Sequence, residues 1–180
     1  INILKEAYFM LGALYYQGIR PEVHAQDTVH WFKKAADLGH VGAQFNLGMV
    51  YNQGELVSQN HEEAVKWFKK AAENGDTVAL YNVGQKYMRG EGLKKDYKEA
   101  LKWFSLGAEK GDSDAQYNLG AMYLEGAADV EFAHHDKHIY TINQSVEKNI
   151  EKAIYWLTKS AAQGDEDAEN MLRKIRLSDF

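Results

Sequence analysis

Between residues 43 and 76 the apolar positions run in two successive helical patterns. Ala43, Leu47 and Tyr51 fall at i, i+4 and i+8, which predicts one face of a first helix, here helix A. Ala64, Trp67, Phe68, Ala71 and Ala72 follow at i, i+3, i+4, i+7 and i+8. That pattern predicts an amphipathic second helix, helix B, with Lys66, Lys69 and Lys70 left towards water. Gly54 and Gly75 stand where the two helices should end, in a left-handed conformation that glycine adopts without steric cost. Asn60 with Glu63, and Asp96 with Glu99, have the spacing of a capping box, while Asp76 and Asp112 are placed to cap the next helix A.

The two-helix unit recurs. Trp31, Trp67 and Trp103, each followed by Phe, lie 36 residues apart, and Leu11-Gly12, Leu47-Gly48, Val83-Gly84 and Leu119-Gly120 keep the same period. A period of this length predicts a helical solenoid, whose units bury their apolar faces only by stacking on neighbours. Gly12, Gly48, Gly84 and Gly120 lie inside helix A, where glycine costs about 1 kcal/mol relative to alanine. Their recurrence implies a compensating gain, a close approach of helix B or its indole to the helix A backbone. Leu4 is expected to pack towards Ala7 and Leu11, and Gly107 to weaken the third unit locally.

These residues resemble the Sel1-like repeat family, relatives of the tetratricopeptide repeat. Its units carry an Ala-x-x-x-Leu-Gly helix A, a Tyr-x-x-Gly turn, and a Lys-Ala-x-x-Trp-x-x-x-Ala-Ala helix B before glycine. The likeness covers nearly the whole chain, with repeats at about 5–40, 41–76, 77–112 and 113–165 and a capping helix at 166–177. Departures are modest: Thr28 stands where later units have Ala64, Ala100 and Ala153, and Gly107 replaces the first of the paired alanines. The resemblance implies an all-α, right-handed superhelical α-solenoid of about four helix-turn-helix repeats.

The fourth repeat is interrupted. Trp103 and Trp156 are 53 residues apart rather than 36, so 17 residues have been inserted into the A-to-B turn, giving a long loop at 127–148. Long loops in such arrays tend to carry function. This one holds Asp129, Glu131, His134, His135, Asp136 and His138. Were it helical, His134 and His138 would share a face at the i, i+4 spacing that can grip zinc or nickel. A polar loop without cysteine is more often simply solvated, so no metal or other cofactor is expected. Phe132, Ile139, Tyr140 and Ile142 suggest instead that the loop folds back on the array or meets a partner. Ser145 and Lys148 have the Ser-x-x-Lys spacing of penicillin-recognising enzymes, but no Ser-Asp-Asn or Lys-Thr-Gly accompanies them and the match is at chance level.

Composition narrows the function classes. A chain that is 45% apolar and 26% charged is globular in type, and the net charge of −5 argues against a general nucleic-acid or anionic-membrane surface. No segment reaches the apolar length of a membrane-spanning helix. The absence of cysteine excludes the disulfide-stapled variety of Sel1-like protein and leaves the compartment open. The chain opens at Ile1, partway into a first unit, so a signal peptide or further repeats are expected upstream.

Binding is expected in the groove lined by helix A. Asn46, Asn82 and Asn118 occupy one register position, with Met10 in the first unit. In the related tetratricopeptide repeats an asparagine at this place faces the groove and binds peptide backbone or a terminal carboxylate. By resemblance the three amides form a ladder along a bound segment; alternatively they hydrogen-bond within the array and hold its units in register. One turn on, Met49, Gln53, Gln85, Lys86, Arg89, Met122 and Glu125 vary from unit to unit, as partner-specific recognition requires. Lys86 and Arg89 beside Asn82 favour an acidic or carboxylate-bearing partner. The expected function is a non-enzymatic scaffold or adaptor, a monomer that binds a partner protein or peptide in the concave groove. The alternatives are a bacterial immunity protein that sequesters a toxic effector and, behind it, a β-lactam or cell-wall enzyme.

Overall fold

Seven of the described helices begin after a residue whose side chain caps them, from His40 to Asp165. In the computed structural model, which describes residues 2–17, 25–131 and 141–178, the elements are α1 (Asn2–Tyr16), α2 (Ala25–Asp37), α3 (Val41–Gln53) and α4 (His61–Glu73). They continue with α5 (Thr77–Arg89), α6 (Tyr97–Glu109), α7 (Ser113–Glu125), β1 (Ala127–Glu131), β2 (Thr141–Val146), α8 (Ile150–Ala161) and α9 (Glu166–Ser178). Odd-numbered helices up to α7 are helix A of repeats one to four, and α9 closes the stack. Asp76 and Asp112 accept from the amides of Ala79 (2.9 Å) and Ala115 (2.8 Å) as expected. In front of α3 the same task falls to His40, whose Nδ1 accepts from Ala43 N–H at 3.1 Å while its ring stacks on Phe9.

The helix B starts depart from the capping box. Asn60 accepts from Glu63 N–H at 3.0 Å, but the Glu63 carboxylate turns to Lys66 Nζ at 2.6 Å instead of reaching back. The Asn60 N–H donates to the carbonyl of Tyr51 in helix A (2.8 Å), and Asp96 and Asn149 repeat the bond with Tyr87 (3.0 Å) and Tyr123 (2.7 Å). With that donor already satisfied by the partner helix, the glutamate is released to the surface.

The internal glycines of repeats one to three mark contact with a phenylalanine rather than with the indole, and that of repeat four with a leucine. A Cβ placed at Gly12, Gly48 or Gly84 would lie 2.4, 2.5 or 2.7 Å from the ring of Phe32, Phe68 or Phe104, and at Gly120 it would lie 2.7 Å from Leu157. These partners are among the most deeply buried side chains in the protein. In the first three repeats the ring of helix B, and in the fourth Leu157, lies directly on the backbone of helix A, and a methyl group there would separate the two. Gly107 serves a similar end between units, since a Cβ there would come within 2.9 Å of Ala115 Cβ. Leu4 does not pack as expected; it is 48% exposed.

Each helix packs chiefly on its neighbours in sequence, so the core runs along the stack as a series of linked clusters. The insertion is not a plain loop. Its described parts, β1 and β2, pair antiparallel from Ala127 opposite Val146 to Glu131 opposite Thr141, with an irregularity between Ala127 and Ala128. The hairpin lies against α6, and Val146 joins Ala115, Leu119 and Met122 in the core.

Candidate functional site

Four positions of helix A, one turn apart, recur along the stack. In repeat two they are Asn46, Met49, Val50 and Gln53; in repeat three Asn82, Gln85, Lys86 and Arg89; in repeat four Asn118, Ala121, Met122 and Glu125. The asparagines are partly exposed. Asn82 and Asn118 each turn an amide N–H back to the carbonyl four residues earlier, Val78 (2.9 Å) and Asp114 (2.8 Å). This fixes their side chains along the helix surface. Asn118 Oδ1 also accepts from Gln85 Nε2 at 3.2 Å, a bond between repeats. Asn46 lines a cavity of about 220 Å³ with Tyr16, Phe45, Met49, Val50 and Gln53.

Two buried glutamines form a second set of amides that periodicity did not single out. Gln44 and Gln116, each 4% exposed, donate to the carbonyls of Ala36 and Ala108 in the preceding helix B (both 3.1 Å). Their Oε1 atoms accept from Asn74 (3.0 Å) and Gln163 (2.9 Å), just past the end of the helix B that follows. Each glutamine therefore ties three successive helices together. The available signal was the Ala-Gln pair at residues 43–44 and 115–116, two repeats apart.

Lys86 and Met122 are corrected as freely presented groove residues. Both are buried, Lys86 at 4% exposure and Met122 at 6%. Lys86 Nζ donates to Glu91 Oε2 at 2.6 Å, to Asn52 Oδ1 and to His61 Nδ1 at 3.2 Å. An ammonium so enclosed is satisfied inside the protein and is not offered to a partner carboxylate. The Glu91 carboxyl is held below its ordinary value by the hydrogen bond from Lys86, against a smaller opposing effect of burial. Arg89 is exposed, with Nη1 at 3.9 Å from the other Glu91 oxygen.

A second cavity, about 420 Å³, occupies the same register in repeat four and is lined by Met88, Tyr117, Asn118, Met122, Glu125 and Met171. Burial raises the Tyr117 phenol above its ordinary value, and the charges of Asp167, Asp165 and Glu125 add to this. His134 and His138 lie outside the described residues, as do His135, Asp136, Phe132, Ile139 and Tyr140. Ser145 belongs to strand β2, so it and Lys148 do not share a helical turn, the arrangement that would bring residues three apart together. Among the described residues no helix is long and apolar enough to cross a membrane.

Stacked helical hairpins with a cap on the last unit define an α-solenoid repeat protein. The family profile of the Sel1 repeat matches residues 5–40, 41–76, 77–112, 113–132 and 143–165, and the chain belongs to the Sel1 repeat family. No curated protein sequence matches it. Among solved structures it is similar to a protective antigen of uropathogenic Escherichia coli strains displaying an SLR fold. That likeness has 33% identity and a TM-score of 0.78, over 93% of this chain and 32% of that one. It is likewise similar to a Sel1 repeat protein from Oxalobacter formigenes, at 30% identity and a TM-score of 0.76 over 93% of this chain and 62% of that one. Cysteine rich protein B of Helicobacter pylori shares the fold alone, at 22% identity and a TM-score of 0.52 over 63% of this chain and 90% of that one. The chain thus spans less than two thirds of the first two relatives.

Proposed function

We propose that the chain is a non-enzymatic scaffold or adaptor that holds a segment of a partner protein against the helix A face. Sel1 repeats in general mediate protein–protein interaction, which supports protein as the class of partner. The observation that carries the reading is the division of labour between the two sets of amides. Gln44 and Gln116 already tie successive helices together, which leaves Asn46 and Asn82 with no bond to a neighbouring repeat among the described residues. Partly exposed amides on a rigid frame suit hydrogen bonding to an extended backbone, while Met49, Gln53, Gln85 and Arg89 vary around them.

The test compares affinity capture from the source cell by the wild-type chain and by the Asn46→Ala, Asn82→Ala, Asn118→Ala variant, both shown folded by circular dichroism. A stoichiometric partner lost with the variant is the expected result. A partner held equally by both overturns the assignment to the helix A face.

A further inference from the structure

The two helix A cavities stand at one register, two repeats apart, and in the repeat between them the equivalent place is filled. At the position of Val50 and Met122 the intervening repeat has Lys86, and at the position of Tyr16 and Met88 it has Asn52. Where the first pair is apolar a cavity opens; where both members are polar, Lys86 Nζ reaches across to Asn52 and fills the space together with His61 and Glu91. Methionine or valine in place of the lysine leaves room for an outside side chain.

The two cavities differ in chemistry. The first is walled by Tyr16, Phe45, Met49 and Val50, and its rim residues Asn46 and Gln53 are neutral. In the second, Glu125 is the charged residue among those that line it; it is exposed and has no ion-pair partner among the described residues. Its walls are methionine and tyrosine, surfaces that accept the aliphatic stem of a long basic side chain and, at the rings, its charge.

Resting on the reading above, we infer that the partner segment is an extended peptide held at two points, with an apolar side chain between Tyr16 and Met49 and a lysine or arginine against Glu125. Side chains of successive A helices meet, Asn52 with Lys86 and Gln85 with Asn118, which sets those helices about 10 Å apart; two repeats then span about 20 Å, which an extended chain covers in about six residues. The segment recognised therefore carries an apolar and a basic residue about six positions apart. The Lys86 network acts as a closed spacer that sets this distance.

A displayed library of random peptides of about twelve residues, long enough to cover the span, is panned on the intact chain. The expected enrichment is an apolar and a basic residue about six positions apart. A labelled peptide of the enriched sequence should bind Met49→Asp and Glu125→Lys about tenfold more weakly than wild type, a loss of about 1.4 kcal/mol each. Replacing the basic residue of that peptide by glutamate should restore binding to Glu125→Lys. Because Glu125 is exposed, this charge exchange remains decisive even if Met49→Asp is poorly folded. Shortening the spacing by two residues on the peptide, with the protein unchanged, should also weaken binding. If the selected peptides ignore both single variants but lose affinity for the triple asparagine variant, two-point recognition is overturned and the helix A reading survives. No enrichment, or peptides indifferent to all the variants, overturns both.

Discussion

Two junctions between successive A helices occupy equivalent places and are built from opposite materials. Between repeats one and two, Tyr16 and Val50 form part of an open apolar cavity; between repeats two and three, Asn52 and Lys86 meet in a hydrogen-bonded network closed by His61 and Glu91. The backbone frame and the spacing are shared. The contrast teaches that the solenoid sets position only, while side-chain pairs across the junction decide whether a position is a socket or a plug.

The largest effect should come from breaking the frame common to both junctions. Gly48→Val drives a side chain into Phe68, whose ring already lies 2.5 Å from where a Cβ would stand. Overpacking of this kind costs about 3 kcal/mol, and thermal unfolding should show the loss. Next comes removal of the plug. Lys86→Ala leaves Asn52, His61 and Glu91 around an empty buried site, with an expected loss of about 2 kcal/mol in urea unfolding, moderated because Glu91 remains partly exposed. In contrast, the double variant Asn52→Met, Lys86→Met installs the residues found at Met88 and Met122 one repeat later, and should stay within about 1 kcal/mol of wild type. Equal losses in the single and double variants would refute the equivalence of the junctions.

The smallest effect is on pH dependence. The folded-state pKa of Glu91 lies below its ordinary value of 4.5, chiefly through the Lys86 hydrogen bond. Its stabilisation is therefore complete above that value and is lost as pH falls through the depressed one. Urea unfolding at about pH 6 and about pH 3 should show the wild type losing ground to the double variant on acidification. An unchanged difference would mean that the pair contributes nothing.

Much of this was legible in the chain. The 36-residue period, the aspartate and asparagine caps, and the glycines at helix ends follow from rules that act within a few residues, and they specified the helical stack. The inserted hairpin was less so, because pairing of Ala127 with Val146 joins residues separated by the whole insertion. At the site, the asparagine register was visible, whereas the burial of Lys86 and the roles of Gln44 and Gln116 were not. Helical periodicity gives the direction of a side chain around its own axis but not what stands opposite.

The sequence by itself thus determined the repeat, its two helices and their capped ends, since each depends on local spacing and backbone preference. Only the tertiary structure decided that phenylalanine in the first three repeats, and Leu157 in the fourth, rather than tryptophan rests on the helix A glycine. It also decided that Lys86 is a plug and that open cavities flank it two repeats apart. Those outcomes depend on how closely neighbouring helices approach and on which side chains then meet, and residues 34 apart in the chain, such as Asn52 and Lys86, meet only once the stack has formed.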